Sequence, residues 1–81
     1  MKITVEVHSI ACGLFPSGEG ALNLPDKAPL SKVLEQLALK TDPDEVYPAL
    51  INGTPVPPDE RTGTVLQDGD HLVVFPPIEG G

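Results

Sequence analysis

Pro29-Leu30-Ser31-Lys32-Val33-Leu34-Glu35-Gln36-Leu37-Ala38-Leu39-Lys40 carries a helical period. Leu30, Val33, Leu34, Leu37 and Ala38 fall at i, i+3, i+4, i+7 and i+8, the spacing of one apolar stripe, while Ser31, Lys32, Glu35 and Gln36 face the other way. Pro29 suits the first turn, where no backbone donor is needed, and Pro43 blocks much continuation past Lys40. The spacing predicts a single amphipathic helix of about three turns. Its stripe has to be buried against another element.

That element is legible on both sides of the helix. Upstream, Ile3, Val5 and Val7 alternate with Thr4, Glu6 and His8, the period of a half-buried strand. Residues 13–20, with Gly13, Pro16, Ser17, Gly18 and Gly20, read as a loop, and Ala21 to Leu24 as the hairpin partner, ended by Pro25. Downstream, Ala49-Leu50-Ile51 runs into Asn52-Gly53, which supplies the positive φ angles of a tight hairpin turn, so Thr54 to Val56 should pair back. Pro57-Pro58-Asp59 closes that strand. Asp68-Gly69-Asp70 turns into a final strand, His71 to Phe75, and Pro76-Pro77 stops pairing because neither residue can donate a backbone hydrogen bond. One helix amid these strands predicts a two-layer α+β domain over residues 1–75, a mixed sheet of four to five strands with the helix packed on one face. The first and last strands, the most apolar, should lie side by side and parallel at the centre, with the helix as their crossover. Residues 76–81 are expected to form a flexible C-terminal tail.

Composition narrows the function. Twelve acidic residues against five Lys and Arg give a net charge of −7, and that sign repels both nucleic acid phosphates and anionic lipid head groups. No nucleic acid and no membrane is therefore expected among the partners. Cys12 is the single cysteine, so neither an internal disulfide nor a thiolate metal cage can form. Met1-Lys2 lead directly into an alternating segment, and a cytoplasmic location is expected.

No self-contained reactive centre emerges from the body of the chain. His8 and His71 each stand alone inside a predicted strand, without an obvious carboxylate partner, and read as satisfied or solvated side chains. Cys12 reads as a small apolar filler at a strand end. Gly18-Glu19-Gly20 lacks both the spacing and the lysine of a phosphate loop, and Asp42, Asp44 and Glu45 lack a calcium-loop spacing. No metal site and no cofactor bound by this chain is expected. The tail is different: Pro76-Pro77 form a stiff base, Ile78 and Glu79 follow, and Gly80-Gly81 have no Cβ to obstruct passage through a narrow channel. Such an end can carry the carboxylate of Gly81 into the active site of another protein. A docking partner would also cover what lies near the exit; Phe75 and the hairpin at Gly53 to Val56, with Pro55 and Val56 foremost, are the expected surface.

Leu66-Gln67-Asp68-Gly69-Asp70 and Phe75-Pro76-Pro77-Ile78-Glu79-Gly80-Gly81 resemble the C-terminus of the MoaD/ThiS sulfur-carrier family. The resemblance implies the ubiquitin-like β-grasp fold, in agreement with the element order. The Phe-Pro-Pro step and the long loop after the first strand are most similar to the molybdopterin synthase small subunit, although that subunit commonly carries an Arg-Glu stretch where this chain has Ile10-Ala11-Cys12-Gly13-Leu14. By the resemblance, Gly81 is adenylated by a ubiquitin-activating-type adenylyltransferase, which uses ATP, and is then converted to a thiocarboxylate. In the molybdopterin branch its sulfur passes to the precursor within a complex with the synthase large subunit. The chain itself would be a protein co-substrate and not an enzyme. The chemistry requires that order: a terminal carboxylate, with a pKa near ~3.5, is ionised and a poor electrophile until it becomes a mixed anhydride. Delivery to another sulfur-accepting enzyme (for thiamine, tRNA thiolation or another thio-metabolite) fits the same tail. So does a ubiquitin-like modifier joined to lysines, because both classes begin with adenylation; an inert interaction module is the remaining alternative.

Overall fold

The computed structural model describes residues 1–41 and 46–77. Five strands form one sheet: β1 (Lys2–Val7), β2 (Glu19–Asn23), β3 (Ala49–Ile51), β4 (Thr54–Pro55) and β5 (His71–Val74), in the order β2-β1-β5-β3-β4. The first and last strands are parallel neighbours at the centre, in the register Val5↔Leu72 and Val7↔Val74. The other pairings are antiparallel. One helix, α1 (Leu30–Leu37), supplies the crossover. This is the ubiquitin-like β-grasp arrangement. Among the described residues no helix is long and apolar enough to cross a membrane.

The core sits where the two periods meet. Ile3, Val5 and Val7 from β1, Leu72 and Val74 from β5, and Leu30, Val33, Leu34 and Leu37 from α1 are all buried in one cluster, as their spacing requires. Leu50, which as the middle of the apolar run Ala49-Leu50-Ile51 would be expected to join the core, is only half-buried, because it pairs with Val73 and Pro55 and so points to the face away from Ala49 and the core.

The helix is shorter than its stripe suggests. It ends at Leu37, and Ala38 takes a left-handed conformation (φ 52) and is exposed. The last carbonyls are claimed from outside: Leu14 N–H donates to Leu37 O, Gly13 N–H to Ala38 O and the Cys12 thiol to Leu37 O. At the other end, Leu30 N–H donates to Thr64 O and Ser31 N–H to Arg61 O, which satisfies first-turn donors that no side chain caps. The segment between β4 and β5 therefore has a structural job that shows no period in sequence. It contains a short 3-10 turn, η1 (Pro58–Glu60), and Leu66, whose side chain is fully buried.

Strand ends also differ by a residue or two from their expected positions. β2 starts at Glu19, inside the predicted loop, because β1 is long enough to pair Glu6 with Glu19. β4 stops at Pro55 and β5 at Val74, leaving Val56 and Phe75 just beyond the ladders.

Candidate functional site

The chain leaves the sheet at the end of its central strand. Val74 O accepts a hydrogen bond from His8 N–H (2.8 Å), and Phe75 N–H donates to Pro48 O (3.0 Å). These two bonds, one to each flanking segment, fix the direction in which Pro76 and Pro77 depart. Both prolines are half-buried, and Ile78, Glu79, Gly80 and Gly81 lie outside the described residues.

Phe75 is exposed at the root of the tail, and its ring stacks on that of His8, with centroids 5.0 Å apart and planes 12° from parallel. The stack holds the phenyl ring on the solvent side of the sheet. His8 Nε2 in turn contacts the Glu6 carboxylate. The two alternate along the extended chain at the end of β1, so they share a face; this i, i+2 relation was the signal for a carboxylate partner that a search for local motifs overlooks. One strand over, His71 Nδ1 lies 2.6 Å from Thr4 Oγ1, in the facing pair Thr4↔His71.

Strand register continues this face away from the helix. Glu6 pairs with Val73, Val73 with Leu50, and Leu50 with Pro55. Phe75 and Pro55 thus belong to one solvent-facing surface, with half-buried Val73 and Leu50 between them. Val56 does not join it. Its N–H donates to Ala49 O, and it lines a groove of about 290 Å³ at the sheet edge with Tyr47, Pro48, Pro57, Pro58 and Arg61; Pro55 borders both this groove and the solvent-facing surface. The remainder of the expected hairpin surface lies elsewhere: Asn52 N–H donates to His71 O at the start of β5, so Gly53 and Thr54 sit at the end of the sheet opposite the exit.

In the groove, the Arg61 guanidinium lies over the Tyr47 ring at 4.9 Å and donates to Tyr47 O. Burial pushes the Tyr47 phenol above its ordinary value, and the Arg61 charge partly offsets this. Arg61 is a strut between the segment leading into β3 and the helix N-terminus, since its own carbonyl accepts from Ser31. Among the described residues no group of three or more His, Cys, Asp or Glu side chains could hold a metal ion. Cys12 is buried, and its thiol is committed to Leu37 O. The described surface therefore offers a place for a partner to dock around an exiting chain.

A family model described as the ThiS family matches residues 14–81, from the loop after β1 to the final glycine. Among solved structures, SAMP1 from Haloferax volcanii is similar across 100% of both chains, with a TM-score of 0.71 and 20% sequence identity. That similarity is one of fold. No curated protein matches the sequence.

Proposed function

The chain belongs to the ThiS family of sulfur carriers, and on that premise we propose that its Gly81 carboxylate is adenylated by a partner enzyme and then converted to a thiocarboxylate that donates sulfur. The observation that carries this reading is the run of the family match through Pro76-Pro77-Ile78-Glu79-Gly80-Gly81. The body of the domain adds a fixed exit and an exposed aromatic root. A carboxylate oxygen of Gly81 attacks the α-phosphorus of ATP and pyrophosphate leaves. A sulfur nucleophile then attacks the acyl carbon, and AMP departs with its electron pair. This chain contributes the acyl group and the docking face; the adenylyltransferase contributes the nucleotide site. Phe75, with Pro55 across the same face, is the surface that enzyme covers. The Phe75-Pro76-Pro77 step supports molybdopterin synthesis as the destination of the sulfur, with the synthase large subunit as second partner and the cytoplasm as the setting.

The test is ATP–pyrophosphate exchange with a ubiquitin-activating-type adenylyltransferase from the same cell. The intact chain should support exchange. Deleting Gly81 shortens the tail by roughly 3.5 Å, beyond the ~3–3.5 Å separation from which reaction proceeds, and should abolish exchange while leaving the melting temperature unchanged. Equal exchange by the shortened chain contradicts the proposal. Recovery of the chain joined to lysines of other proteins, with no thiocarboxylate formed, would assign it to protein modification instead.

A further inference from the structure

The two edges of the sheet are built differently. β4 is two residues long, its Pro55 has no N–H, and Pro57-Pro58 follow, so nothing can readily extend the sheet there. β2 is five residues long and contains neither proline nor lysine. Its free backbone groups can be counted. Met1 and Leu24 exchange both backbone hydrogen bonds (2.8 and 2.7 Å), and Val7 N–H donates to Gly18 O (2.6 Å). These bracket the ladder, and the same parity places Gly20 opposite Val5 and Leu22 opposite Ile3 as hydrogen-bonded pairs. Glu19, Ala21 and Asn23 consequently aim their N–H and C=O groups away from the sheet. Among the described residues, only Glu19 O has a partner, the Ser17 hydroxyl at 3.2 Å.

We propose that β2 is a self-association edge that pairs antiparallel with β2 of a second copy about a two-fold axis at Ala21. In that register Glu19 faces the partner's Asn23, Ala21 faces the partner's Ala21, and each facing pair exchanges two N–H···O bonds. The side chains agree on both faces. Across the seam no acid faces another acid, although Glu19 already has Glu6 opposite it on its own β1, and Lys2, which neighbours Asn23 on β1, stands behind it towards the incoming Glu19. On the helix face Leu22 comes beside the partner's Gly20, where the absent Cβ is what admits an aromatic ring: a Cβ there would lie 2.4 Å from Phe15. Leu22 and the partner's Phe15 thus make an apolar contact, repeated by symmetry. β2 lies two strands from β5, so this pairing leaves the tail exit uncovered.

A single strand pair covers less than the roughly 800 Å² per partner of a standard interface, so the dimer is weak and concentration-dependent. Each copy carries a charge of −7, and salt that screens this repulsion strengthens association. The test is sedimentation equilibrium of the full chain from micromolar to millimolar concentration at low and high salt, with backbone amide exchange read in parallel. Expected are a reversible dimer favoured by salt and slowed exchange at the Glu19, Ala21 and Asn23 amides. Asn23→Glu, which opposes two acids at each facing pair, should weaken the dimer roughly tenfold, and Asn23→Lys should strengthen it to a similar extent. Unchanged thermal melts of both variants separate this from misfolding. A chain monomeric throughout, or a dimer indifferent to the charge at position 23, overturns the proposal. Protection of β2 that appears only when another protein is added also overturns it and assigns the edge to an extended segment of that protein.

Discussion

Ala38 is the residue at which local preference and tertiary structure conflict. Its left-handed backbone (φ 52) costs an L-residue roughly 1–2 kcal/mol. It persists because the 11–14 loop binds the helix's last carbonyls, so the chain has to turn there. Ala38→Gly removes the Cβ penalty against a smaller entropic loss, and a net gain of about 0.5–1 kcal/mol is expected, seen as a melting temperature higher by roughly 4 °C. An unchanged or lower melt would mean that the turn carries no strain. Asn52-Gly53 shows the opposite relation: both residues have positive φ (51 and 84), and the dipeptide announced it. The pairing of His8 with Glu6 was missed although strand alternation carries it, whereas the stack of His8 on Phe75 depends on β1 and β5 being neighbours.

At the scale of elements, periods were readable and supports were not. The period-two and period-3.6 residues of β1, β5 and α1 are the buried ones because a repeating side-chain direction leaves a repeating composition. Residues 57–70 have no such repeat, yet they accept hydrogen bonds from the first turn of α1 and bury Leu66. Their contribution is through backbone carbonyls, which every residue has, so composition cannot reveal it. The helix is only eight residues long, too short to persist without its packing. Leu34→Ala should therefore cost about 2–5 kcal/mol in chemical denaturation, a large share of a small domain's stability. A loss below about 0.5 kcal/mol would mean that the helix stripe is not what holds the two layers together.

For the whole molecule, the central parallel pair was legible because a single helix between the two most apolar strands leaves one natural crossover, whereas the pairing of β3 with β5 was not. The proposed docking face was legible only in part. Phe75 and Pro55 share it, but Val56, one residue beyond the β4 ladder, is half-buried and faces the edge groove, which Pro55 also borders. Phe75 is 39% exposed, so its ring adds less to the core than its size suggests. Phe75→Ala should weaken binding of the adenylyltransferase at least about tenfold while lowering stability by no more than ~1 kcal/mol. A large loss of stability with unaltered binding of the folded fraction would return Phe75 to the core. The central claim concerns the Gly81 carboxylate, and intact-mass measurement reads it most directly. After incubation of the full chain with its adenylyltransferase, ATP and a sulfur source, the account predicts a species heavier by the exchange of one oxygen for sulfur, with fragmentation placing the sulfur on Gly81. A chain that keeps its carboxylate mass under conditions where the enzyme is active, or that carries the new sulfur on Cys12, would contradict it.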